Sequence, residues 1–150
     1  MPVLRYDFEQ SIGYWVVGTA RAVEREMSAE LRPLGITYRQ CQVLAALAKD
    51  GALSQAELAA QLQIEPPTLT GVLDRMERDG WIERTACPAD RRKNLVRVAA
   101  AARPAWSGIT AAARRVRARA TAGFTDTERD GLIDLLRRVQ HNLAPAQEIE

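Results

Sequence analysis

One hundred and fifty residues, 47% hydrophobic and 27% charged, are ordinary for a globular protein and enough for one core without staples. A net charge of +2 does not by itself announce a polyanion partner, and two cysteines far apart, Cys41 and Cys87, form neither a disulfide framework nor a zinc pattern. No run of about eighteen apolar residues offers a membrane helix, and no charged-then-apolar leader opens the chain, so the expected compartment is the reducing cytoplasm.

Phe8, Ile12, Trp15, Thr19, Val23, Met27 and Leu31 recur every three or four positions. They predict one long helix from about Asp7 to Leu34, with a single apolar stripe. Pro33 and Gly35 in "RPLGI" end it. "TYRQ" at Thr37–Gln40 fits a capping box, in which Thr37 accepts from a free backbone N–H and Gln40 reaches back. Val43, Leu44 and Leu47 then face inward on a helix that Gly51 stops.

"SQAE" at Ser54–Glu57 is a second capping box, opening a short helix with Leu58, Ala59 and Leu62 as its apolar side. After a turn at Gln63 and Ile64, "EPPTLTGVLDRMERDGW" begins a longer helix. Pro66 and Pro67 lack N–H donors and fit only a first helical turn. Leu69, Val72, Leu73 and Met76 form the stripe, and Gly80 closes it. A short helix joined to a longer one by a tight turn is the pattern of a helix-turn-helix.

Trp81–Thr85 and Asn94–Val98 read as two strands around the loop "ACPADRRK", a β-hairpin placed as a wing. A helix from about Ala101 to Ala122 follows, rich in Ala and Arg. "TDTE" at Thr125–Glu128 is a third capping box, opening a helix with the stripe Leu132, Leu135, Leu136, Val139 and Leu143. The expected fold is mainly α with a small β-wing: a winged helix-turn-helix lobe over residues 37–99, flanked by dimerisation helices over 1–36 and 100–150. Long striped helices on so small a core are expected to bury their stripes against a second copy.

The charge is unevenly spread. From Arg84 to Arg119 there are ten Arg or Lys and one acid, Asp90. Three adjacent cations, Arg91, Arg92 and Lys93, sit at the hairpin tip. One reading is a solvated loop, since exposed charges cost little. The other is a finger for DNA: a wing beside a recognition helix lies over the minor groove, where Arg is favoured. Asp90 then makes sense as an ion-pair partner that fixes the direction of Arg92. The longer helix presents Pro67, Thr68, Thr70, Gly71, Arg75 and Arg78 to a major groove, and Ser54 and Gln55 open the helix before it. Asp74 is expected to pair with Arg75 or Arg78.

The stretch from Ser54 to Val98 resembles the winged helix-turn-helix of the MarR family of bacterial transcription regulators, closest to its SlyA-like branch. The D-x-R motif stands at Asp90-Arg91-Arg92, and "LRPLGIT" and the helix order extend the likeness over nearly the whole chain. The resemblance implies a homodimer on a pseudopalindromic double-stranded DNA site, released by a small aromatic or carboxylate effector. By position, Trp15, Arg21, Tyr38, Cys41 and Ala45 would line the effector crevice, with Arg21 as carboxylate anchor; Trp15 serves equally as a dimer-core aromatic. Where the family has a helix-capping Thr, this chain has Ala99, and Pro104 is expected to compensate by pre-setting the first turn of the fifth helix.

The alternative on the same scaffold is a thiol switch. Cys87, near Arg84 and Arg91, is its candidate, whereas Cys41 is expected to be buried and inert. The lone His141 reads as a surface residue near a helix end. No nucleophile–base pair, metal cluster or phosphate loop is found, so neither enzyme activity, metal nor cofactor is expected.

Overall fold

The computed structural model describes residues 5–144. They divide into two units between Val116 and Arg117. The first unit begins with one 3-10 turn, Phe8–Gln10, and then breaks. Ser11 is extended and its hydroxyl caps a new helix by accepting from the Tyr14 N–H at 3.2 Å. The predicted single helix is therefore shorter: α1 spans Ile12–Leu31 and passes into a second 3-10 turn, Arg32–Leu34. The serine offered the backbone a local hydrogen bond at Ser11, and periodicity alone does not register that.

Helix α2 covers Tyr38–Asp50 and α3 covers Gln55–Leu62, and each opens on the predicted capping box, completed in both directions. Helix α4 spans Pro66–Arg78, with the two prolines in its first turn where a missing N–H costs nothing. Gly80 has φ 81°, the left-handed conformation that lets the chain leave α4 and turn into a strand.

The hairpin strands pair antiparallel as expected, β2 at Ile82–Ala86 and β3 at Asn94–Val98, in the register Arg84 opposite Val96. A short strand that the sequence reading missed, β1 at Leu53–Ser54, adds to the other edge of β3, giving the order β1-β3-β2. Two residues carry no alternation to read, so only the long-range pairing identifies them.

The stripes of α2, α3 and α4 meet in one core. Leu58, Leu69, Leu73, Met76 and Val43 are fully buried, with Val96 closing it from the sheet. Each such side chain contributes about 1.5–3 kcal/mol of burial. Leu31 and Met27 of α1 join this cluster, as do Ile109, Ala112 and Val116. Arg115 and Glu30 add an ion pair at 2.8 Å across the same packing.

The approach to the fifth helix departs from expectation. Residues Ala100–Ala105 form a 3-10 segment and α5 starts only at Trp106, running to Ala120. Pro104 lies inside the 3-10 segment rather than in the first turn of α5. Its missing N–H and its ring oppose an α-helical start at Ala101. Ala99 caps nothing with its side chain.

In the second unit, Thr125 makes the third reciprocal capping box and α6 runs Asp126–Leu143. Its stripe is left open: Leu132, Leu135, Leu136 and Leu143 are all exposed. The same holds for the early half of the α1 stripe, where Phe8, Ile12 and Trp15 are exposed while Met27 and Leu31 are buried.

Candidate nucleic-acid interface

Helices α3 and α4 are joined by a turn in which Gln63 adopts φ 51°, a left-handed conformation uncommon for a non-glycine residue. The turn is secured by the Ile64 N–H donating to the Ala59 carbonyl at 3.0 Å and by burial of the Ile64 side chain. A second tie joins the helix starts: the Gln55 amide donates to the Thr70 hydroxyl, which donates to the Pro66 carbonyl at 3.0 Å. Gln55 and Thr70 thus fix the angle between the two helices, and the Thr70 proton is already engaged. Ser54 is likewise engaged, as the cap of α3, its hydroxyl accepting from the Glu57 N–H. Hydrogen bonds from Ser54 and the field of Lys93 hold the Glu57 carboxyl below the usual glutamate range.

On the outer side of α4, Pro67, Thr68, Arg75 and Arg78 are exposed. Arg75 makes no ion pair among the described residues, and Arg78 has only an exposed contact to its neighbour Asp79 at 3.3 Å. At Gly71, half-buried, a built Cβ meets nothing within 4 Å. Internal packing therefore does not require glycine there; a close approach from outside would.

Asp74 does not pair with Arg75 or Arg78, as expected from spacing. It accepts from Arg84 of β2 at 2.7 Å, and Glu77 accepts from the same guanidinium. Arg84 keeps only 18% of its side chain exposed. Burial works against its charge, but the bonds to Asp74 and Glu77 outweigh it and raise its pKa. This clamp welds the root of the hairpin to α4. One residue nearer the root, Arg97 donates twice to Glu83, its direct cross-strand partner.

The tip is built differently. The Cys87 N–H donates to the Lys93 carbonyl at 2.9 Å, and the Lys93 N–H to the Asp90 carbonyl at 3.0 Å. The Asp90 carboxylate accepts from the backbone N–H of Arg92 at 2.9 Å. This corrects the expected ion pair: Asp90 shapes the loop backbone, as short acidic side chains do in turns, and leaves the Arg92 guanidinium free. Arg91, Arg92 and Lys93 are exposed and make no ion pair among the described residues.

The geometry therefore sorts the arginines. Those on the stem are spent on internal carboxylates; those on the tip and Arg75 make no ion pair among the described residues. Sequence spacing could not separate the two sets, because the partners lie seven to fourteen residues away on other elements or the facing strand.

The five residues expected around an effector crevice are not gathered into one cavity within the chain. Trp15 and Arg21 line an open cleft of about 670 Å³ with Tyr6, Phe8 and Tyr14. The Trp15 indole N–H donates to the Glu9 carbonyl at 3.0 Å. On α2, Cys41 is buried in the core and burial pushes its thiol pKa up, while Tyr38 is half-buried and Ala45 exposed. Cys87 is partly exposed, but the neighbouring Arg84 is turned toward Asp74 and Glu77. His141 is exposed in the last turn of α6. Among the described residues no helix is long and apolar enough to cross a membrane, and no cluster of three His, Cys, Asp or Glu could hold a metal.

Comparison with known proteins points the same way as the geometry. The profile of the MarR family matches residues 36–93. A probable transcriptional regulator from Pseudomonas aeruginosa is 29% identical, with a TM-score of 0.71 over 89% of this chain and 99% of that one. A mutant MarR from E. coli complexed with operator DNA is 26% identical, with a TM-score of 0.78 over 85% of this chain and 92% of that one. BpsR of Bordetella bronchiseptica, whose DNA binding is regulated by 6-hydroxynicotinic acid, shares the fold at 24% identity and a TM-score of 0.79, over 91% of this chain and 98% of that one. Mostly helical with a small three-stranded antiparallel sheet, this chain has the winged helix-turn-helix fold of those regulators.

Proposed function

We propose that this chain is a MarR-family transcription regulator of the SlyA-like branch. It binds a pseudopalindromic double-stranded DNA site as a homodimer, in the cytoplasm, and a small aromatic or carboxylate effector releases it. One observation carries the reading: Arg75 and the three tip cations make no ion pair among the described residues, on two elements that the Arg84 clamp joins. In this reading α4 enters the major groove with Thr68, Gly71 and Arg75 foremost, and Arg92 or Arg91 reaches the adjacent minor groove while the other meets phosphate. Gln55 and Thr70 set the angle of entry.

The lobe over 37–99 does the reading of DNA. The flanking segments, 1–36 and 100–150, hold the two copies together through the open stripes of α1 and α6, burying apolar surface that one copy leaves in water. The effector enters beside Trp15 and Arg21, where a second copy would complete the crevice. Binding there favours a spacing of recognition helices that no longer matches half-sites one helical turn apart.

A redox switch at Cys87 has less support, since Arg84 is committed to two carboxylates. The decisive experiment is selection of bound DNA from a random pool, with and without aromatic acids. The expected result is an inverted repeat whose binding falls steeply with salt. A lone subunit at micromolar concentration, or no sequence preference, overturns the reading. Peroxide-driven release that disappears in Cys87→Ser would replace the effector with a thiol switch.

A further inference from the structure

Gly71 stands in the interior of α4, where glycine weakens a helix relative to alanine. Its φ is helical, so no turn demands it. Nor does packing, since a Cβ built there meets nothing within 4 Å. Gly108 of α5 is the contrast, for its Cβ would touch the Leu34 side chain at 3.4 Å. Gly18 and Gly131 resemble Gly71, but they lie on α1 and α6, whose stripes stay open. Of these, Gly71 alone belongs to the helix-turn-helix.

The missing side chain leaves a gap the size of one methyl group. The helical positions three before and four after share its face, and these are Thr68 and Arg75, both exposed. Thr70 and Asp74 are held elsewhere, by Gln55 and by Arg84. Gly71 lies past the first four residues of α4 and before the last four, so its N–H and its carbonyl are both bonded within the helix. The floor of the gap is therefore apolar. A phosphate would find no donor in it, whereas a methyl group would fill it. Among the base edges of a major groove, the group of that kind is the C5-methyl of thymine.

We propose that Gly71 is a specificity-determining residue, whose gap takes up the C5-methyl group of one thymine in each half-site. The inference rests on the reading of α4 as the recognition helix and adds which base that helix demands at this point. Alanine would strengthen the helix but would fill the gap with its own methyl group, so the chain gives up helix stability where the duplex must come close.

The test starts from the duplex that wins selection from a random pool. Each thymine in it is replaced in turn by deoxyuridine, which lacks only the C5-methyl group, and affinity is read by fluorescence anisotropy. With the parent chain, one position per half-site loses about fourfold, the effect of burying one methyl group. With Gly71→Ala the loss at that position vanishes, because the added methyl occupies the gap, and the thymine duplex binds more weakly than it does to the parent chain. The same variant unfolds at a higher denaturant concentration, since alanine favours the helix and its Cβ clashes with nothing, so weaker binding does not come from a damaged fold. A selected duplex in which deoxyuridine costs nothing at any position overturns the inference. So does a loss that persists undiminished at every position in Gly71→Ala, or an unchanged affinity of that variant for the thymine duplex. All three leave the proposed regulator standing, because the duplex is still bound with preference. A pool that yields no preferred duplex overturns both.

Discussion

The lobe around α4 and the two ends of the chain handle the same kind of apolar stripe in opposite ways. In the lobe, Leu58, Leu69, Leu73 and Met76 are fully buried within one chain. Along the early half of α1 and along α6, Ile12, Trp15, Leu132 and Leu135 stay exposed. A stripe buried at home stabilises the fold of its own chain. A stripe left in water stabilises only when something covers it, and its cost is borne until then. The stripes of the lobe are thus covered within the chain, whereas those of early α1 and of α6 stay in water in a single copy.

The sharpest way to break this contrast is to injure each region and read both properties. Leu73→Ala, in the lobe, is expected to cost about 2–5 kcal/mol of stability by chemical denaturation, because a cavity remains in a fully buried site. Leu135→Glu, on α6, is expected to weaken self-association by about 2 kcal/mol or more, read as a shift toward single subunits in sedimentation. The two outcomes exchanged, with Leu135→Glu destabilising a chain that stays dimeric, would end the distinction.

Finer tests separate clamped from free charge within the lobe. Arg92→Ala is expected to lower DNA affinity by about 1–3 kcal/mol while leaving the denaturation midpoint within the error of a surface change. An unchanged affinity would remove the wing tip from the interface. The smallest expected effect is at Glu57. Its depressed pKa means that its capping contribution is present above the ordinary glutamate range and is lost as pH falls through the lower folded value. Glu57→Gln should therefore lower stability slightly near neutrality and flatten the acid limb of the curve, with the difference from the parent chain vanishing at low pH.

Much of this architecture was legible from residue order. All three capping boxes, the stripes of α2 to α4 and the strand bounds near Trp81 and Val98 are local patterns, and local hydrogen bonding enforces them. What escaped was decided at a distance or by a single competing bond. Ser11 broke the first helix with one hydroxyl, and Pro104 delayed α5 by withholding one N–H. Arg84 chose Asp74 and Glu77 because β2 folds back over α4, and nothing in the spacing of α4 announces that. That Arg91, Arg92 and Lys93 gather at the exposed hairpin tip was readable, but the part played by Asp90 was not. A carboxylate beside arginines suggests an ion pair, whereas the nearest donor in the folded turn is the backbone N–H of Arg92.

Ser54 belongs to two structures at once: it pairs with Leu95 as the last residue of β1, and its hydroxyl caps α3. The sheet edge and the helix start therefore cannot loosen separately. A pull on β3 that unzips this edge also frees the first amides of α3, so amide exchange at both places should rise and fall together. The short strand works as a latch: whatever displaces the hairpin also loosens the helix beneath it.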